Sequence, residues 1–193
     1  MEINGVAGGE WEPGWLDHSW RQADLTNGLV PGRNRCTLVV SYRDFLSNVQ
    51  GQPCEYMHLP LLYLCGSFRL DDEHRLVSAA GTKVPAGDWA EQGFPFLSGT
   101  VRYMARFVVK RPAQCERVVL DLGVVKDTAR VRLNGVEFYR PWRPFEFNVT
   151  DALQDGENEL QIEVANTLQN LVFERPVRSG LLGPVRLVYY GDA

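Results

Sequence analysis

Residues Val131–Asn166, VRLNGVEFYRPWRPFEFNVTDALQDGENELQIEVAN, decide how this chain is read. Asn134-Gly135 separates two runs in which apolar and polar residues alternate. A two-residue type I′ turn needs positive φ at both central positions, which Asn and Gly tolerate best, so the dipeptide predicts a tight hairpin. An aromatic loop through Tyr139 and Trp142 follows. Thr150 and Asp151 can accept backbone N–H bonds at a corner, and Asp155-Gly156 lets the chain reverse into a closing strand over 160–165.

The alternation extends on both sides of this stretch. Val101, Tyr103, Ala105, Phe107 and Val109 share one face of a strand, and Arg102, Met104, Arg106 and Lys110 share the other. Val118, Leu120 and Leu122 alternate with Arg117 and Asp121, and Ala129, Val131 and Leu133 alternate with Arg130 and Arg132. Val185, Leu187 and Tyr189 repeat the pattern near the end. Short period-two segments punctuated by Gly, Pro and Asp predict half-buried antiparallel sheets, and no segment of a dozen residues keeps a helical period. The expected fold is an all-β antiparallel β-sandwich of jelly-roll type.

The front of the chain carries a second copy of the same signals. Ile3-Asn4-Gly5-Val6 matches Leu133-Asn134-Gly135-Val136, and Asp24-Leu25-Thr26 matches Asn148-Val149-Thr150. Gly32-Arg33-Asn34 matches Gly156-Glu157-Asn158, and Leu38-Val39-Val40 matches Ile162-Glu163-Val164. The order is the same, with a slightly longer loop in the first copy. The expected organisation is a partial repeat or N-terminal arm over 1–45, a connection over 46–62 and a full sandwich over 63–193. No strands precede the first copy, so a fragment of a longer protein is the favoured reading; the alternative is that 1–45 completes the sheets of the single domain behind it. Between the copies, 63–70 is expected as a strand with an irregularity at Gly66, with short strands over 75–79 and 83–85. Trp89–Ser98 reads as an aromatic loop.

With 193 residues, 45% hydrophobic and 23% charged, the chain is expected to be soluble and globular. A formal net charge of -4 argues against a nucleic-acid partner, which needs a concentrated basic surface. No apolar run approaches the roughly 20 residues of a membrane span, and Met1–Glu12 has no signal-peptide pattern. The compartment stays open. The four cysteines, Cys36, Cys54, Cys65 and Cys115, show no CxxC spacing and no neighbouring His, so buried free thiols are expected rather than zinc or a disulfide framework. No HExxH, GxSxG or phosphate loop is present, and neither metal nor cofactor is expected.

The runs GTVRYMARFVV, LDLGVVKDTARVRLNGVEF, FNVTDALQDGENELQIEVAN and SGLLGPVRLVYY together resemble the galactose-binding-like jelly roll of glycoside hydrolases. They are similar to the sugar-binding domain of family 2 β-galactosidases and β-glucuronidases. QGFPFLSGTVRY and LPLLYLCGSFRL resemble the C-terminal accessory region of large bacterial α-L-rhamnosidase-like hydrolases. The resemblance implies a module separate from the domain that holds the catalytic carboxylates, with an oligosaccharide or plant polysaccharide and that catalytic domain as its partners.

Sugar rings stack their C–H faces on Trp and Tyr while polar groups fix the hydroxyls. The candidate ligand-binding residues are Trp89, Tyr139, Trp142, Arg143, Glu174 and Arg178, with Phe94 beside them. Packing within the core is the competing role for the rings, and Trp11, Trp15 and Trp20 are weighted further towards it. No catalytic residue is expected. The alternative, a small stand-alone glycosidase with two loop carboxylates, would use Glu91 and Glu174, with Glu146 a further candidate.

Overall fold

The computed structural model describes residues 1–15, 18–39, 62–172 and 176–191, and divides the chain into two compact units, Met1–Tyr63 and Leu64–Ala193. The expected connection over 46–62 lies almost wholly outside the described residues.

The N-terminal unit contains five two-residue strands: β1 (Glu2–Ile3), β2 (Val6–Ala7), β3 (Glu12–Pro13), β4 (Arg21–Gln22) and β5 (Cys36–Thr37). They form a three-stranded sheet, β2-β1-β5, and a separate β3-β4 hairpin. Asn4 (φ 52) and Gly5 (φ 82) make the turn between β1 and β2.

The larger unit opens with the β6 (Phe68–Leu70) and β7 (Leu76–Ser78) hairpin. The strand expected from residue 63 therefore starts later, because Gly66 forms a turn, its carbonyl accepting from Phe68 N. Residues 83–85 form no strand. Then come β8 (Thr100–Val109), β9 (Arg117–Asp121), β10 (Val124–Lys126), β11 (Thr128–Leu133), β12 (Val136–Arg140), β13 (Glu146–Asn148), β14 (Gly156–Ala165), the short helix α1 (Gln169–Val172), β15 (Gly180–Gly183) and β16 (Arg186–Tyr190). One antiparallel sheet runs β12-β11-β14-β8, a second β13-β9-β16, and β10 pairs with β15. The fold is an all-β antiparallel sandwich, as the alternation predicts.

Between the two main sheets lie Ala129, Val131 and Leu133 of β11, Leu160, Ile162 and Val164 of β14, Val118 and Leu120 of β9 and Phe147 of β13. Val149, Ala152 and Leu153 close one end of this core, and Trp89, Leu122, Val125, Phe145 and Leu181 belong to it too. The Asn-Gly turn sets the register: Leu133 faces Val136, so Arg130 must face Tyr139.

Both copies of the motif carry one polar network. Asn134 Nδ2 donates to Ala152 O (2.8 Å) and Asn158 Oδ1 (2.7 Å), and Asn134 Oδ1 accepts from Glu159 N (2.9 Å). Asn158 in turn accepts from Gln154 N and donates to the carbonyls of Gln154 and Gly156. In the first copy Asn4 Nδ2 donates to Gly28 O (2.9 Å) and Asn34 Oδ1 (2.7 Å), and Asn4 Oδ1 accepts from Arg35 N (2.8 Å). Asn34 accepts from Val30 N and donates to the carbonyls of Val30 and Gly32. At the corner Asn148 Oδ1 accepts from Thr150 N and Oγ1, as Asp24 Oδ1 does from Thr26. The sequence repeat is thus repeated bond for bond.

The expectation of buried thiols is overturned for Cys36 and Cys65, which are exposed, while Cys115 is half-buried. All three are free, and Cys54 lies outside the described residues. Cys36 occupies the place that Leu160 fills in β14, but no described second sheet covers it.

Candidate functional site

The loop between β12 and β13 is pinned at its far end. Phe145 is buried, its carbonyl accepts from Leu122 N (3.0 Å), and Phe147 meets Phe138 edge-on at 6.3 Å. This anchorage lets the loop hold an apolar ring in solvent: Trp142 is 72% exposed and Tyr139, at the end of β12, is 58% exposed. The Arg130 guanidinium lies 5.8 Å from the Tyr139 ring centroid, a cation–π contact that also holds the ring upright. Arg143 is exposed on the same loop.

Trp89 belongs elsewhere. It is 0% exposed, and its Nε1 donates to Tyr103 Oη (2.6 Å) inside the core. A ring so enclosed cannot stack on a ligand, so Trp89 leaves the candidate set. Its burial depends on Gly180, where a side chain would collide with the indole ring and with Gly87 O. Phe94 packs against the core as well.

Arg178 is exposed and tethered. Its Nε donates to Asp88 Oδ2 (3.3 Å), and the buried Asp88 also accepts from Ser179 N (3.1 Å) and Ala90 N (3.1 Å). The buried Asn170 accepts from Val177 N (3.1 Å) and donates to Val177 O (2.9 Å). Residues 177–179 are therefore held from both sides. Asp88, Asn170 and Arg130 were not picked out by sequence reasoning. The first two carry no sequence signal, but Arg130 follows from the hairpin register once Asn134-Gly135 is fixed.

Strand directions bring these parts to one end of the sandwich. Thr128, the start of β11, faces Ala165, the end of β14, which faces Thr100 at the start of β8. The 141–145 loop leaves β12 at that end, and Arg178 precedes β15, whose Gly180 faces Lys126 of β10. Tyr139, Trp142, Arg143 and Arg178 thus emerge together, and Phe96, Val124, Leu168, Val172, Val177 and Val185 are exposed around them. Glu174 lies outside the described residues.

The carboxylates have other settings. Glu91 is exposed on a short 3-10 turn, and Glu146 is exposed on β13 opposite Asp121. Partial burial opposes ionisation of Asp121. Bonds from Arg186 (2.6 Å) and Gly123 N (2.7 Å), with the Arg186 charge, outweigh it and hold the carboxyl below its ordinary value. A general acid needs the opposite shift. Among the described residues no group of three or more His, Cys, Asp or Glu could hold a metal ion. Trp11, Trp15 and Trp20 are exposed rather than packed away, Trp20 stacking on Tyr63 at 5.3 Å.

The outer face of the four-stranded sheet carries a shallow polar hollow of about 290 Å³ lined by Arg102, Arg130, Arg132, Glu137, Gln161 and Glu163. Arg102 pairs with Glu163, and both Arg130 and Arg132 with Glu137, so the hollow is a self-satisfied charge ladder.

The described structure is therefore an antiparallel β-sandwich with an aromatic loop displayed at one end. No family profile matches the chain. Over 138 residues it is 28% identical to a Formosa agariphila protein provisionally named beta-glucuronidase, an alignment covering 68% of this chain and 12% of that one. Similar solved structures include a rhamnosidase from Novosphingobium sp. PP1Y (32% identity, 48% of this chain and 11% of that chain, TM-score 0.41). A beta-glucuronidase of Bifidobacterium dentium gives 31% identity over 41% of this chain and 14% of that one, TM-score 0.35. The chain is related to glycoside hydrolases and spans about an eighth of the length of the curated relative it matches.

Proposed function

We propose that this chain is a non-catalytic module of a glycoside hydrolase, of the galactose-binding-like jelly-roll type, that binds carbohydrate at the end carrying Trp142. The observation that carries the reading is the alignment with a small part of a far longer protein provisionally named beta-glucuronidase. The aromatic loop supports the location. Trp142 and Tyr139 supply exposed faces for C–H stacking, and Arg143 and the tethered Arg178 supply donors for sugar hydroxyls or a uronate carboxylate. The ligand would be an oligosaccharide or a plant polysaccharide chain.

Calorimetric titration of the full chain against rhamnose-, galactose-, xylose- and glucuronate-containing oligosaccharides should give saturable heat with one class. Trp142→Ala should weaken it about tenfold or more, given about 1–3 kcal/mol per stacked ring. No heat with any member of the panel would defeat the binding reading.

The apolar fringe favours a second reading. Phe96, Val124, Leu168, Val172, Val177 and Val185 are exposed around the same end, and contiguous exposed apolar surface marks contact sites. In this reading the end docks on the catalytic domain of the parent enzyme and the module acts as a scaffold. Joining the two in one polypeptide should then protect Trp142 from iodide quenching; unchanged quenching would remove the scaffold reading.

A further inference from the structure

The first copy of the motif has a turn, a corner and the start of a closing strand, but among the described residues it lacks counterparts of β8 and β9. In the larger unit β14 lies between β11 and β8, and β8 pairs along its full length, Gly156–Ala165 against Val109–Thr100. β5 stands where that strand begins and pairs with β1 alone among the described residues. The consequence is visible in side chains. Leu29 is 44% exposed where its counterpart Leu153 is 2% exposed, and Cys36 is exposed where Leu160 is buried.

The charges are reversed as well. On the outer side of β14, Glu159 faces Arg106 of β8 in register, with an ion pair at 3.8 Å. The first copy has Arg35 in place of Glu159 and Arg33 in place of Glu157. Both arginines are exposed. A strand with the β8 sequence would set Arg against Arg.

We infer that β5 is a docking edge for an extended antiparallel segment of alternating apolar residues that carries Asp or Glu opposite Arg35. The open N–H and C=O groups of β5 extend the ladder to such a strand, as in other cases of strand addition. Its apolar side chains cover Cys36 and the neighbouring Leu29, and its carboxylate meets Arg35 as Arg106 meets Glu159. Opposite charges in directly facing positions favour a pairing and like charges oppose it, so the edge selects its partner by sign. This inference is independent of carbohydrate binding.

Two labelled peptides test it on the full chain: residues 100–109 as they stand, and the same peptide with Arg106→Glu. The R106E peptide should bind about fivefold or more tightly than the unchanged one, as expected for exchanging a like-charge for an opposite-charge pair. Arg35→Glu in the chain should invert that preference, and binding should shift the amide resonances of residues 35–38. Failure of both peptides to bind, or one ranking on both chains, would overturn the inference. Protection of the Cys36–Leu38 amides in the chain alone as strong as that at Leu160–Ile162 would overturn it independently.

Discussion

Asn134 and Asn4 sit in the same turn, with φ near 50 in both, donate to matching carbonyls and bind a second Asn side chain at the same distance of 2.7 Å. Around Asn134 two sheets enclose the network, and Asn158 is buried. Around Asn4 only β1, β2 and β5 are present among the described residues, and Asn34 is half-exposed. The difference teaches that the polar scaffold of this motif is encoded locally, whereas the burial that makes it stable comes from strands elsewhere.

The largest predicted contrast concerns the apolar positions beneath the corner. Leu153→Ala should cost about 3 kcal/mol in denaturant unfolding, because a large-to-small change in an enclosed site leaves a cavity. Leu29→Ala, its counterpart, should stay under about 0.5 kcal/mol, because Leu29 is already in contact with solvent. Equal costs would break the comparison.

Next come the network residues. Asn134→Ala should cost about 2–3 kcal/mol, since it leaves Asn158 and the Ala152 carbonyl short of a donor and puts Ala at positive φ. Asn4→Ala should cost about 1 kcal/mol, because water replaces the lost partners. Smaller still is the exchange beneath the two turns. The first copy pairs Ile3 with Gly28, where an added side chain would strike the Ile3 branch methyl; the second pairs Leu133 with Ala152. Gly28→Ala should cost about 1–2 kcal/mol through overpacking. Ile3→Leu in the same chain should recover most of it, as a double-mutant cycle would show.

The smallest effect is electrostatic and belongs to the larger unit alone. Arg186 holds the Asp121 carboxyl below its ordinary value, so the unfolded chain binds that proton more readily than the folded one. The resulting stability is present above the unfolded carboxylate pKa of about 3.9 and is lost as pH falls through the lowered folded value. Asp121→Asn should flatten this acid limb by under about 1 kcal/mol, since Arg186 is mostly exposed.

Much of this was legible in the sequence. Asn134-Gly135 fixed the hairpin register, which placed Arg130 over Tyr139, and period-two alternation marked the inward faces of β8, β9, β11 and β14. The repeat was readable too, because its bonds lie within short stretches around Asn4, Asp24 and Asn34. Trp89 was not. Its burial depends on Gly180 leaving room and on Tyr103 accepting its N–H, contacts distant in sequence. Nor was Cys36, since alternation reports which side of a strand is apolar and not whether anything lies against it. The candidate site was half legible: Trp142 and Tyr139 are exposed as a stacking role requires, while the tether that holds Arg178, through Asp88 and Asn170, is tertiary.

Native-state hydrogen exchange on the full chain tests the contrast between the copies most directly. The amides of Leu160–Val164 should exchange about a hundredfold or more slowly than those of Cys36–Leu38, because one strand opens only with its whole unit and the other has one open side. Equal protection at the two sites would contradict the account, since it would mean that the first copy is enclosed as fully as the second.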